Sequence, residues 1–209
     1  REGVSALRNF EPTNETFQAP QGIGHNGGPT LEDFDSELSE QMAEFYDDPL
    51  GFVMFAYDWG LGELRGFEGP DTWQIDYLNS IGDKVRERGF DGFTPVEAIR
   101  MATTSGHGIG KSALTAWIVN WIICTRPYSK GIVTANTSPQ LETKTWAEIA
   151  KWTRRCVARH WFRVSTGKGN MKIVRIGYED AWRCDAQTCR EDNSESFAGL
   201  HAVNSTPYY

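Results

Sequence analysis

Gly106, Gly108, Gly110, Lys111 and Ser112 stand in the run TTSGHGIGKS at residues 103–112, and their types and spacing suit one kind of chemistry. Glycines let a backbone close around an anion, and a lysine followed by a hydroxyl can meet a polyphosphate and the divalent cation it carries. The run joins an apolar stretch of strand character, residues 96–104, to one of helical character, residues 112–126. At such a junction the unpaired N–H groups of the helix start and the aligned peptide dipoles attract negative charge. Against the phosphate-loop pattern G-x-x-x-x-G-K-[ST], Ser105 holds the first place and Gly106 comes one step late, while Gly110-Lys111-Ser112 completes it. A second run, GIGHNGG at residues 22–28, has no lysine and no strand ahead of it, and Pro29 interrupts any immediate helix. It reads as a flexible loop.

The elements that must position the loop follow from periodicity. Residues 1–30 are polar and broken by Pro12, Pro20 and Pro29, which predicts a loose acidic arm. A helical segment over residues 31–92 comes next. Thr30 caps its first helix, Pro49 can open a second, and residues 69–89 give a third that Gly89 stops. From residue 93 to 209 strands and helices alternate, with strands over 96–104, 131–136, 160–166, 171–178 and 181–186 and helices over 112–126 and 138–159. Alternation of this kind predicts an α/β domain whose sheet is mainly parallel and covered by helices on both faces.

With 209 residues, eight Trp and eleven Phe, the chain can bury a sizeable core. The net charge of -7 excludes a protein that coats nucleic acid or anionic membrane over its whole surface, and that charge is unevenly spread. Residues 1–65 hold 13 acids and 3 Lys or Arg, a net of -10; the remainder holds 15 and 18, a net of +3. Residues 144–175 are locally basic, with nine Lys or Arg against Glu148, and suit either a DNA-facing surface or a solvated helix face. Cys124, Cys156, Cys184 and Cys189 have no CxxC spacing and read as free thiols. Cys184, Cys189 and His201 lack the fourth ligand a structural zinc site needs. The apolar run 113–124 is too short to span a bilayer and is interrupted by Thr115 and Asn120, so it reads as a buried helix.

From residue 52 onward the chain resembles the ATPase domain of the large terminase subunit, the DNA-packaging motor of tailed bacteriophages. The resemblance is carried by GPDTWQIDYL, SGHGIGKSALTAWIVNWIICTRP, GIVTANTSPQLETKTWAEIAKW, HWF and SESFAGLH, in that order. It implies a three-layer P-loop NTPase preceded by a helical segment, with ATP and Mg²⁺ as cofactors. Ser105, Gly106, His107, Gly108, Ile109 and Gly110 would form the loop, Lys111 would be the catalytic phosphate lysine, and Ser112 the metal ligand. Trp73 and Gln74 match the family's Trp-Gln element near the adenine. His107 stands where many relatives place an arginine, so a loop-borne arginine sensor is not expected.

The resemblance also implies double-stranded DNA, a portal protein and a small terminase subunit as partners, a homo-oligomeric ring during packaging, no membrane, and the cytoplasm of a bacterial host. It implies a further strand ending in the Asp-Glu pair that organises Mg²⁺ and water. The chain starts at Arg1 and closes on NSTPYY, so that strand is expected beyond Tyr209, with an incomplete sheet and near-background turnover for this piece alone. Glu179 and Asp180 come in the reverse order and read as a turn pair. The alternatives are a helicase-like nucleic-acid-dependent ATPase and a nucleotide-binding module without turnover.

Overall fold

The computed structural model describes residues 30–91, 94–104, 106, 108–188 and 206–209. The expected arm and its GIGHNGG run, Ser105, His107, Cys189, His201 and the SESFAGLH run lie outside these residues.

Three helices lead the described chain. In α1 (Leu31–Glu44), Thr30 is the expected cap, and Asp33 makes it reciprocal: the Asp33 N–H donates to Thr30 Oγ1 at 3.1 Å and the Thr30 N–H to Asp33 Oδ2 at 2.8 Å. α2 (Pro49–Ala56) begins with proline at a position whose N–H has no helical partner anyway, and Asp48 caps it through the Gly51 N–H at 2.9 Å. α3 (Thr72–Glu87) ends just before Gly89, whose φ of 57° lets the chain turn away.

α4 (Lys111–Thr125) is apolar nearly all round and is accordingly buried, with Leu114, Ala116, Trp117, Val119, Trp121 and Ile123 inside. Asn120, fully buried within it, is satisfied on both sides. Its Nδ2 donates to the Tyr57 hydroxyl at 3.0 Å and its Oδ1 accepts from Thr153 Oγ1 at 2.9 Å. A second helical run follows β1 (Lys130–Ala135): one turn at Ser138–Gln140, a π-helical stretch at Leu141–Trp146, and α5 (Ala147–Arg155). Trp59, Trp117 and Trp152 pack edge-on and tilted between these helices, with ring centroids 5.1–5.9 Å apart.

The remaining strands are β2 (Phe162–Gly167), β3 (Asn170–Arg175), β4 (Arg183–Thr188) and β5 (Pro207–Tyr208), in the order β2-β3-β4-β1-β5. β1 is parallel to β4 and β5, whereas β3 is antiparallel to both β2 and β4. The sheet is therefore mixed, which corrects the mainly parallel expectation. Connection length is the cause: two residues join β2 to β3 and seven join β3 to β4, and a parallel crossover needs a dozen or more.

The register sorts the two faces of the sheet. Phe162, Val164, Met171, Ile173, Cys184, Ala186 and Val133 share the face that meets the helical core. The opposite face carries Lys130, Arg163, Lys172, Arg183 and Asp185 around buried Ile132 and Val174, which stand apart from the main core.

Residues 96–104 form no strand, a second correction. The segment is largely exposed, and Ile99 and Met101 rest partly buried against the core. Glu97 and Arg100 interrupt its apolar run, and a strand forms only where a neighbouring edge takes up its N–H and C=O groups. Here the Arg88 guanidinium takes two of those carbonyls instead, donating to Glu97 O and to Ala98 O, the latter at 3.2 Å. Among the described residues no helix is long and apolar enough to cross a membrane.

Candidate functional site

The expected loop stands at the start of α4, but the strand expected ahead of it, residues 96–104, does not form. Gly110 is the N-cap residue and has a φ of 87°; Gly108 has a φ of 79°. Both values lie in the left-handed region that favours glycine. A Cβ added at Gly106 or Gly108 would meet nothing within 4 Å, so the loop faces open space. Gly110 offers α4 no capping side chain, and the first bond that closes on it runs from the Leu114 N–H to the Gly110 carbonyl at 3.1 Å. Helix geometry gives the amides of the first turn ahead of Leu114 no acceptor within α4 itself.

Lys111 turns its ammonium back over the loop and donates to the Gly106 carbonyl. That contact closes the loop on itself and keeps the cation at the mouth of the helix. Ser112 is exposed one residue further on, with its hydroxyl on the first turn of the helix. Ile109 is half-buried between the two left-handed glycines.

Trp73 and Gln74, at the start of α3, belong to the same neighbourhood, and the contact runs through Gln74. Its side chain is 3% exposed. Oε1 accepts from the Asp71 N–H at 2.8 Å, and Nε2 donates to the Gly110 carbonyl at 3.1 Å. The first bond is half of a capping box, and Asp71-x-x-Gln74 was its sequence signal. The second bond, across 36 positions of sequence, had no signal at all. Trp73 is half-buried, and its indole N–H is buried with no hydrogen-bond partner among the described residues.

Glu179 and Asp180 lie far from this loop. They sit in the turn before β4, where Glu179 pairs with Arg163 at 2.9 Å. Close by, the Trp182 indole donates at 2.9 Å to the Ile123 carbonyl near the C-terminus of α4. A helix of 15 residues separates that end from Lys111 by about 20 Å.

The basic stretch divides on folding. Lys151 pairs with Glu148 at 2.6 Å, Arg155 with Glu63, and Arg163 with Glu179. Arg175 lies over the Trp161 ring, 4.9 Å from its centroid. Lys144, Arg154, Arg159 and Lys168 are exposed. Cys124, Cys156 and Cys184 are free and buried; burial pushes the Cys184 thiol up to about 12, which makes it inert as a nucleophile. Among the described residues no group of three His, Cys, Asp or Glu could hold a metal ion.

A mixed sheet packed against helices, with a glycine loop opening the buried α4, defines an α/β protein. The chain is similar to the "Probable terminase, large subunit" of Enterobacteria phage P7, with 26% identity over 151 residues. The match covers 72% of this chain and 28% of that protein, so the chain spans less than a third of its relative's length. No family model and no solved structure matches the chain.

Proposed function

We propose that this chain is the ATP-binding part of a terminase large subunit, in which ATP hydrolysis drives double-stranded DNA into a procapsid. The observation that carries the reading is the loop: two left-handed glycines, an uncapped α4 start and the Lys111 ammonium converge on one open point. Similarity to a phage terminase supplies the biological setting.

The residues fit a polyphosphate. The first-turn amides of α4 would donate to its oxygens, and Lys111 would exchange the Gly106 carbonyl for the outer phosphates. Ser112 would offer its hydroxyl to Mg²⁺, whose charge, when bound, offsets that of the phosphates. Trp73, next to Gln74 at the start of α3, would flank the base with its half-buried ring. Ser105 and His107 would complete the loop. Lys144, Arg154, Arg159 and Lys168 offer positive charge to the DNA backbone. Portal, small-subunit and ring contacts, and work in the host cytoplasm, belong to the same reading.

Titration calorimetry tests the binding step. Lys111→Ala should weaken Mg-ATP binding about 10- to 100-fold, because a charge-assisted contact is lost. Equal affinities for the two proteins would remove the nucleotide-binding reading.

A further inference from the structure

The Gln74 contact has consequences for how the loop is held. The carboxamide is buried, and its orientation is fixed by its own partners: Oε1 faces the Asp71 N–H and Nε2 the Gly110 carbonyl, so a flipped amide would set like groups against each other at both ends. The capping box on α3 thereby aims a donor at the one loop carbonyl that also accepts the first bond of α4, from the Leu114 N–H. Gly110 is shaped to receive it. A Cβ there would stand 2.7 Å from Gln74 Nε2, and the residue's φ is 87°.

We propose that Gln74 is a positioning residue for the phosphate loop, bracing the Gly110 carbonyl so that Lys111 and the first-turn amides of α4 are held ready for a polyphosphate. This rests on the nucleotide-binding reading and differs from a base-reading role. With Oε1 committed to Asp71 and Nε2 to Gly110, the carboxamide reads no base edge while it braces the loop. Without the brace, the left-handed Gly108–Gly110 turn samples other conformations, and apparent affinity falls by the fraction of loops still competent. One part-buried hydrogen bond of this kind corresponds to about a tenfold loss.

The test uses the full 209-residue chain with two probes, Mg-ATP and Mg-tripolyphosphate, which has no base. Gln74→Glu keeps the acceptor for Asp71 but, when ionised, loses the donor to Gly110. Gln74→Ala loses both. At neutral pH both variants should bind both probes about tenfold more weakly than the wild type, with equal losses for the two. Protonation of the carboxyl in Gln74→Glu restores an O–H donor. Its deficit relative to the wild type, measured at each pH, should therefore shrink as pH falls through the carboxylate range. A merely structural role gives no such recovery, and Gln74→Glu alone carries the comparison if Gln74→Ala does not fold. Loss of ATP affinity with tripolyphosphate affinity intact would make Gln74 a base reader and overturn the brace. So would unchanged affinities, or a deficit in Gln74→Glu that does not vary with pH. If the wild type binds neither probe, the nucleotide-binding reading itself falls, and the brace with it.

Discussion

Arg126 shows what a single buried cation can do at the far end of the helix that opens on the loop. It is 3% exposed, lies between the Tyr46 and Trp121 rings at 4.1 Å from each, and donates to Tyr46 O at 2.6 Å and Thr125 Oγ1 at 2.7 Å. Burial pulls its pKa down to about 10, which leaves it charged at neutral pH. A planar fork suits this slot and a point charge does not. Arg126→Lys should cost about 2 kcal/mol in a denaturant titration, through lost stacking and one unmade hydrogen bond. At the other end of α4, the glycine turn that opens the helix was legible because its signal is local. The Gln74 bond to Gly110 was not, because it depends on where α3 packs.

Helix α1 is held to the rest of the molecule by a contact that pH should modulate. Asp35 Oδ1 lies 2.7 Å from His160 Nε2 and accepts from the Trp161 indole at 3.0 Å. Partial burial pushes the Asp35 carboxyl up. The hydrogen bonds from His160 and Trp161, with the charges of His160 and Arg175, outweigh this and hold it below the usual carboxylate range. A lowered acid pKa contributes stability that is present above the unfolded value of about 3.9 and lost as pH falls through the folded one. Asp35→Asn should therefore lower the thermal midpoint at pH 7 by a few degrees or less, since the pair is nearly half exposed and screened. The difference from the wild type should vanish as pH is taken below the carboxyl's range. Thr30, Pro49 and Gly89 made the helix ends readable from sequence. Strand direction was misread, because apolar alternation suggested parallel strands and the two-residue link at Lys168 and Gly169 forces an antiparallel pair. For residues 96–104 hydrophobicity misled, because pairing depends on a neighbouring edge that no local pattern reveals.

Across the whole molecule, the buried α4 joins the core to the loop. Its Trp117 and Asn120 meet α5 and Tyr57, its Trp121 indole donates to the Phe45 carbonyl at 2.7 Å, and its N-terminus, held by Gln74 at Gly110, is exposed at Ser112. A rigid helix with a solvent-facing start is the arrangement an anion site needs. The α/β class, the helical lead-in and the place of the loop were all legible in the sequence, whereas the mixed sheet and its cationic face emerged only from the register. The central claim is that a nucleoside triphosphate binds at this helix start. Backbone amide NMR of the 209-residue chain, titrated with Mg-ATP, tests it most directly. The largest shifts should fall on the amides of Gly108, Gly110, Lys111 and Ser112, and in Lys111→Ala should need about 10- to 100-fold more Mg-ATP to saturate. Saturable shifts confined to other amides, or no shifts at millimolar Mg-ATP, would contradict it.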